Sequence, residues 1–304
     1  MEKFDITILG CGAALPTPKR LSSSQIVNIR EKLFMLDCAE GTQMALRRSR
    51  ISFSHLQAIF LTHLHGDHTF GLIGMLSTFG LLGRIQDLHI YGPQDLQRIF
   101  QPQIDYFCAD SPFKIILHEI DTKKPQVLYE DRSVIISTLP LSHRVPCCGY
   151  LFQEKPTLRH IRRDMIDFYH IPISQINNIK AGMDWTTEDG TLIPDERLTT
   201  PSDPVRSYAY CTDTTYRPQL AELLKGVTCL YHEATFAEEH AQLAKSTFHS
   251  TASQAAQIAK DAQAGQLILG HFSSRYKSEE LLLQEAQQIF PNTQLAEDGM
   301  KISL

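Results

Sequence analysis

A chain of 304 residues with 42% hydrophobic and 21% charged side chains has an ordinary globular composition and enough length to bury a sizeable core. Its net charge of −5 argues against indiscriminate binding of polyanions, and no apolar run approaches the ~20 residues that span a bilayer. Seven cysteines, odd in number and without a CxxC pair, argue against a disulfide framework and point to a reducing, cytoplasmic setting; the N-terminus enters a strand pattern directly rather than reading as a signal peptide.

Strand and helix signals alternate through the first third. Ile6 to Leu9 reads as a strand ending in Gly10-Cys11-Gly12. Gln25 to Ile29 and Leu33 to Leu36 form a predicted hairpin around Arg30-Glu31-Lys32. A short helix over Gly41 to Ser49 precedes an apolar strand, Leu56 to Leu61. Asp67 to about Leu82 is predicted as one helix with Phe70, Ile73, Leu76 and Leu81 on its apolar face. Leu88 to Tyr91 is a strand, and a helix starts at about Pro93, a favourable first-turn residue. Strands follow at Phe113 to Leu117, Ser133 to Leu139 and Gly149 to Gln153.

From Lys155 to about Pro204 the strand periodicity fades and turn signals accumulate at Pro156, Pro172, Asp189-Gly190, Pro194, Pro201 and Pro204. A short amphipathic helix is predicted around Arg159 to Tyr169. The segment is an inserted arm or a set of surface loops. Alternation then resumes: strands at Ser207 to Cys211, Cys229 to His232 and Leu267 to Leu269, and helices over Gln219 to Leu224, Ser250/Thr251 to Ala262 and Ser278 to Ile289. Strands separated by helices imply a layered α/β sandwich.

The densest chemistry is Thr62-His63-Leu64-His65-Gly66-Asp67-His68, three imidazoles and one carboxylate within six positions after a buried strand. Imidazole nitrogen and carboxylate oxygen are ligands that zinc prefers, and four of them exceed the three an open tetrahedral site takes. The surplus suggests two metals side by side, an arrangement used to cleave phosphate esters. Three further strands end near a potential ligand, His143, Asp213 and His271. Strand ends on one sheet edge lie close together in layered α/β folds.

His63-x-His65-x-Asp67-His68 with isolated His143, Asp213 and His271 resembles the metallo-β-lactamase superfamily. Within it the chain is similar to the ribonuclease Z family, the tRNA 3′-processing endonucleases. That resemblance runs over the whole chain and includes Asp37-Cys38-Ala39-Glu40-Gly41-Thr42-Gln43 and His249-Ser250-Thr251; it is narrowed by His232-Glu233-Ala234-Thr235-Phe236 and His271-Phe272-Ser273-Ser274-Arg275-Tyr276. It implies a single-domain, four-layer αββα sandwich over residues 1–304 with a protruding tRNA-binding arm at 155–204. It also implies two zinc ions per subunit: one on His63, His65, His143 and Asp213, the other on Asp67, His68, Asp213 and His271, with Asp213 bridging. Asp67 would also accept the proton of the attacking water. His249, oriented by Glu233, would serve the leaving group. A homodimer acting on precursor tRNA, and no membrane association, complete the expectation.

Expected substrate contacts are Lys19, Arg20, Arg159, Arg162, Arg163 and Arg275; the run Lys155 to Arg163 holds four cations and no carboxylate. The chain departs from the family in two places, the arm and the early loop. The arm lacks a Gly-Pro pair and reads His170-Ile171-Pro172-Ile173-Ser174, Asp184 to Glu196 is acidic, and Lys19-Arg20 is not followed by asparagine. Two other readings compete with a zinc endoribonuclease that removes the 3′ trailer of tRNA precursors. One is a small-molecule phosphodiesterase or arylsulfatase-type hydrolase on the same scaffold. The other is a non-catalytic binding module, disfavoured because every ligand position is filled.

Overall fold

The computed structural model describes residues 2–304. In chain order the strands are β1 (Phe4–Gly10), β2 (Ser24–Ile29), β3 (Lys32–Leu36), β4 (Leu56–Phe60), β5 (Leu88–Gly92), β6 (Ile115–Glu119), β7 (Val127–Glu130), β8 (Val134–Pro140) and β9 (Cys148–Glu154). Short strands follow: β10 (His160–Ile161), β11 (Trp185–Thr186), β12 (Leu192–Ile193) and β13 (Thr199–Thr200). β14 (Ser207–Cys211), β15 (Cys229–Glu233), β16 (Gln266–Gly270), β17 (Thr293–Leu295) and β18 (Lys301–Ser303) end the series. The helices are α1 (Thr42–Arg48), α2 (Gly66–Thr69), α3 (Leu72–Leu81), α4 (Leu96–Phe107), α5 (Arg163–Phe168), α6 (Ile173–Lys180), α7 (Asp195–Leu198), α8 (Leu220–Leu223), α9 (Ala241–Thr247), α10 (Ala252–Asp261) and α11 (Glu280–Gln287).

Two seven-stranded sheets, ordered β18-β1-β2-β3-β4-β5-β6 and β17-β16-β15-β14-β9-β8-β7, face each other. Alternation along β3 and β4 sends Phe34 and Phe60 inward, where they meet Tyr150 and Phe152 of the opposite sheet. The intervening Met35 and Ile59 point outward into a second cluster with Leu46 of α1, Leu76 of α3 and Phe100 of α4. On the second sheet, α10 and α11 add Ala256, Ala259, Leu282 and Ala286 to the buried apolar set. The layers are therefore αββα. Sheets covered on both faces require near-continuous apolar strands, which is why Leu56 to Leu61 and Leu267 to Leu269 lack polar alternation. β3 to β6 run parallel, as do β14 to β17, so their carboxyl ends gather at a common edge.

The predicted hairpin turns on Arg30 and Glu31 at φ 51° and 66°, the geometry of a two-residue primed turn. The predicted helix from Asp67 to Leu82 is instead two helices broken at Phe70-Gly71. Gly71 donates its amide to Cys38 O at 2.9 Å, and a Cβ there would sit 2.0 Å from Ala39 O. The break rotates the buried face to Leu72, Met75, Leu76 and Phe79 and leaves Phe70 and Leu81 exposed. α4 begins at Leu96, after Asp95 in the left-handed region, and not at Pro93. The amphipathic helix expected at Arg159 to Tyr169 is a strand, β10, followed by α5, because His160 and Ile161 pair with Thr200 and Thr199.

Residues 154–205 form a compact unit with a core of Ile171, Ile179, Ile193 and Leu198. The two sheets and their helices form the other, residues 2–153 with 206–304. All seven cysteines are buried and free. No described helix is long and apolar enough to cross a membrane.

Candidate metal centre

Several strands that end on the common edge deliver a polar side chain. β3 leads to Asp37, β4 to Thr62 and His63, β8 to His143, β14 to Asp213 and β16 to His271, while α2 carries Asp67 and His68. Asp37, Asp213 and His271 take φ of 54°, 48° and 57°. This left-handed conformation is costly for residues with a Cβ and turns the chain sharply off the strand end.

The seven side chains proposed from sequence as metal ligands lie together. Asp213 divides them: Oδ2 is 3.7 Å from His63 Nε2 and 3.8 Å from His143 Nε2, while Oδ1 is 3.2 Å from His68 Nε2 and 3.1 Å from His271 Nε2. His65 Nδ1 lies 3.0 Å from His63 Nε2. Asp67 Oδ2 lies 3.5 Å from His68 Nε2 and 4.0 Å from His271 Nε2. Ligand-capable atoms converge in the groups His63–His65–His143, His63–His68–Asp213 and Asp67–His68–His271. Nε2 of both His68 and His271 is buried without a hydrogen bond of acceptable geometry. Unpartnered buried nitrogens aimed at a shared carboxylate are what a divalent cation with N/O ligands fits.

The electrostatics agree. Burial pushes the pKa of His63 and His271 down, towards the neutral imidazole that donates a lone pair. Burial also disfavours charge on Asp213 and His68. For Asp213 the facing His271, His68 and His63 outweigh it and hold the carboxyl well below its ordinary range; for His68 the flanking Asp37 and Asp213 outweigh it and raise the pKa.

A second ring of partners orients the first. His68 Nδ1 meets Asp37 Oδ2 at 2.8 Å, and Asp37 also accepts from the Thr62 amide at 2.8 Å and the Tyr210 hydroxyl at 3.1 Å. Thr62 Oγ1 contacts His63 Nδ1, the Phe248 carbonyl holds His143 Nδ1, and Thr235 Oγ1 holds His271 Nδ1 at 2.9 Å. Such partners fix ring orientation and tautomer. No spacing signal marks Thr62, Thr235, Tyr210 or the role of Asp37 in the chain.

His249 stands beside this centre, its ring 5.1 Å from His143 and 5.4 Å from His271. Its Nδ1 meets Glu233 Oε1 at 2.9 Å. Glu233 is fully buried and also accepts from the Thr214 and Ser250 amides. Burial opposes the imidazolium, but the Glu233 carboxylate prevails and raises the His249 pKa to about 9.

The cations singled out in the sequence fare differently. Arg20 serves the fold: it pairs with Glu279 at 2.9 Å, donates to Cys11 Sγ and Ala296 O, and covers the Phe272 ring. Lys19 is exposed, and Arg275 is exposed over the Phe236 ring at 5.3 Å. In the 154–205 unit Arg159 pairs with Asp195, Arg162 pairs with Asp164, and Arg163 is exposed.

A doubly covered sandwich with histidines and aspartates on its strand ends defines a hydrolase of the metallo-β-lactamase superfamily. The β-lactamase superfamily domain model matches residues 197–272, and a model described as anti-Pycsar protein Apyc1 matches residues 4–104. The chain is 56% identical to ribonuclease Z of Bacteroides thetaiotaomicron, covering all of this chain and 96% of that protein. It is 47% identical to ribonuclease Z of Porphyromonas gingivalis W83 over the full length of both. The chain belongs to the ribonuclease Z family and is an endoribonuclease. Human tRNase Z, short form, superposes with a TM-score of 0.71 at 26% identity, covering 98% of each chain. The metallo-β-lactamase fold protein YhfI of Bacillus subtilis shares the fold, with a TM-score of 0.70 at 21% identity over the full length of both chains.

Proposed function

We propose that this chain removes the 3′ trailer of tRNA precursors by hydrolysing one phosphodiester on the 3′ side of the tRNA. The full-length similarity to ribonuclease Z relatives carries the reading, and the centre around Asp213 supplies chemistry that suits it. Two zinc ions fit the donor set, one on His63, His65, His143 and Asp213, the other on Asp67, His68, Asp213 and His271. When bound, such a pair makes hydroxide available at neutral pH and offsets charge on the phosphate.

The protein's own groups do the rest. Asp67 is the one carboxylate of the cluster with partial exposure, which suits it to take the proton of an attacking water. His249, held by Glu233, keeps Nε2 as the free nitrogen to protonate or hydrogen-bond the departing 3′ oxygen. Residues 155–204 are the tRNA-binding arm. Apolar side chains exposed along the α3–α4 side, among them Leu81, Ile85, Tyr106 and Phe107, suit a homodimer interface. Free buried cysteines suit a reducing cytoplasm.

The test is cleavage of a 3′-extended precursor tRNA transcript by purified protein, with its metal content measured in parallel. Trailer release that stops on chelation and returns with zinc is expected. Undiminished cleavage after complete chelation overturns the metal assignment, and an intact transcript overturns the substrate.

A further inference from the structure

The 154–205 unit carries a groove of about 870 Å³, within the range of ligand pockets. Phe168, Tyr169, His170 and Trp185 are among its lining residues, together with Glu188 and Arg197. Phe168 is 70% exposed, and its ring meets that of Tyr169 edge-on, with centroids 4.8 Å apart. The Arg197 guanidinium lies 5.9 Å over the Tyr169 ring. Trp185 Nε1–H makes no hydrogen bond within the protein.

Charge does not make this unit a general phosphate grip. Over residues 155–204 eight carboxylates outnumber six lysines and arginines. Arg159 and Arg162 are already paired with Asp195 and Asp164. That excess of carboxylates repels a bare phosphate backbone. A nucleobase presents the opposite chemistry: neutral π faces that stack on aromatic rings, and an amine edge that donates to a carboxylate.

The geometry points to a base pocket. One unpaired, amine-bearing base of the RNA substrate stacks on the aromatic lining residues, Glu188 accepts from its exocyclic amine, and Arg197 meets its phosphate. This rests on the reading of the chain as a precursor-tRNA nuclease and names how its arm recognises RNA: by stacking, with charge secondary. Stacking of one base is worth about 5- to 150-fold in binding.

Trp185 is the only tryptophan of the chain, so intrinsic fluorescence of the intact, metal-loaded protein reads this groove directly. Titration with a precursor tRNA should quench the emission, while an RNA duplex of equal length without unpaired bases should leave it unchanged. Anisotropy of end-labelled RNA establishes that each RNA is bound. Precursor that binds without quenching, or equal quenching by the duplex, overturns the pocket. Stronger quenching by an oligolysine peptide than by RNA overturns it in favour of a basic protein partner. Glu188→Lys gives an independent reading, because Glu188 is exposed and its replacement leaves the small core of the unit intact. The precursor KM should rise about tenfold with kcat unchanged, whereas a fall in KM means that charge governs the grip and overturns the pocket. A wild-type protein that neither binds nor cleaves the precursor overturns the functional reading itself; cleavage without quenching overturns only the pocket.

Discussion

Asp37 illustrates how a single buried carboxylate organises the centre from behind. It has no exposed surface, occupies a left-handed backbone position, and satisfies His68, Thr62 and Tyr210 at once. Removing an outer partner of this kind lowers metal affinity by about 10- to 100-fold. Asp37→Ala should therefore lose zinc to a chelating dye at a correspondingly lower dye concentration; wild-type retention would show that His68 needs no such support. Glu233 acts in the same way on His249. Glu233→Gln should lower kcat for precursor cleavage by about 100-fold or more while zinc content stays constant, and parallel loss of metal and rate would place Glu233 with the metal instead. The two residues were legible to different degrees. His63 to His68 announces itself because four ligand types crowd into one strand end. Glu233 stood out only inside a recognisable motif, and Asp37 and Thr235 act through hydrogen bonds that leave no periodic trace.

Elements are shaped by contacts that local pattern does not contain. The i, i+3 apolar spacing after Asp67 runs on through Gly71, so propensity alone reads one helix. The chain breaks there because Gly71 presses against Ala39 O, which no side chain at position 71 tolerates. Gly71→Ala should destabilise the protein by about 1–3 kcal/mol, with a lowered urea midpoint, and a neutral effect would mean that the Ala39 segment yields. Strands buried on both faces were easy to see; β7 and the two-residue strands β10 to β13 were not, because they have too few side chains to show a period. The turn between β7 and β8 is tied to β3 by Lys32 and Asp131. Burial alone would raise the Asp131 pKa, but Lys32 and the Ser133 and Val134 donors hold it well below the carboxylate range. Because the folded value lies below the unfolded one, of about 3.9, the contribution is present above pH ~4 and fades as pH falls. Asp131→Asn should cost about 1–3 kcal/mol at pH 7 and markedly less at pH 3, measured by urea unfolding at both. A cost independent of pH would exclude the ionised carboxylate as its source.

At the scale of the molecule, two compact units each enclose apolar side chains of their own. The sheets and their helices bury Phe34, Phe60, Tyr150 and Phe152 between them, and residues 154–205 bury Ile171, Ile179, Ile193 and Leu198. The centre around Asp213 is built wholly from residues outside 154–205. Under the proposed function, chemistry and recognition of a large RNA would be separable. A small phosphodiester needs only the strand-end cluster, whereas a folded RNA is positioned by contacts far from the scissile bond, and binding energy spent there raises kcat/KM without altering the reacting groups. Deleting residues 156–200 should lower precursor-tRNA cleavage by 100-fold or more, consistent with the loss of about 3 kcal/mol of remote binding. Hydrolysis of a chromogenic phosphodiester by the same variant should stay within a few fold of wild type, with zinc content unchanged. Loss of both activities together with zinc would show that the two-sheet unit depends on the arm to fold. Survival of precursor cleavage at the wild-type rate would remove RNA recognition from the arm and return it to the surface around Lys19 and Arg275.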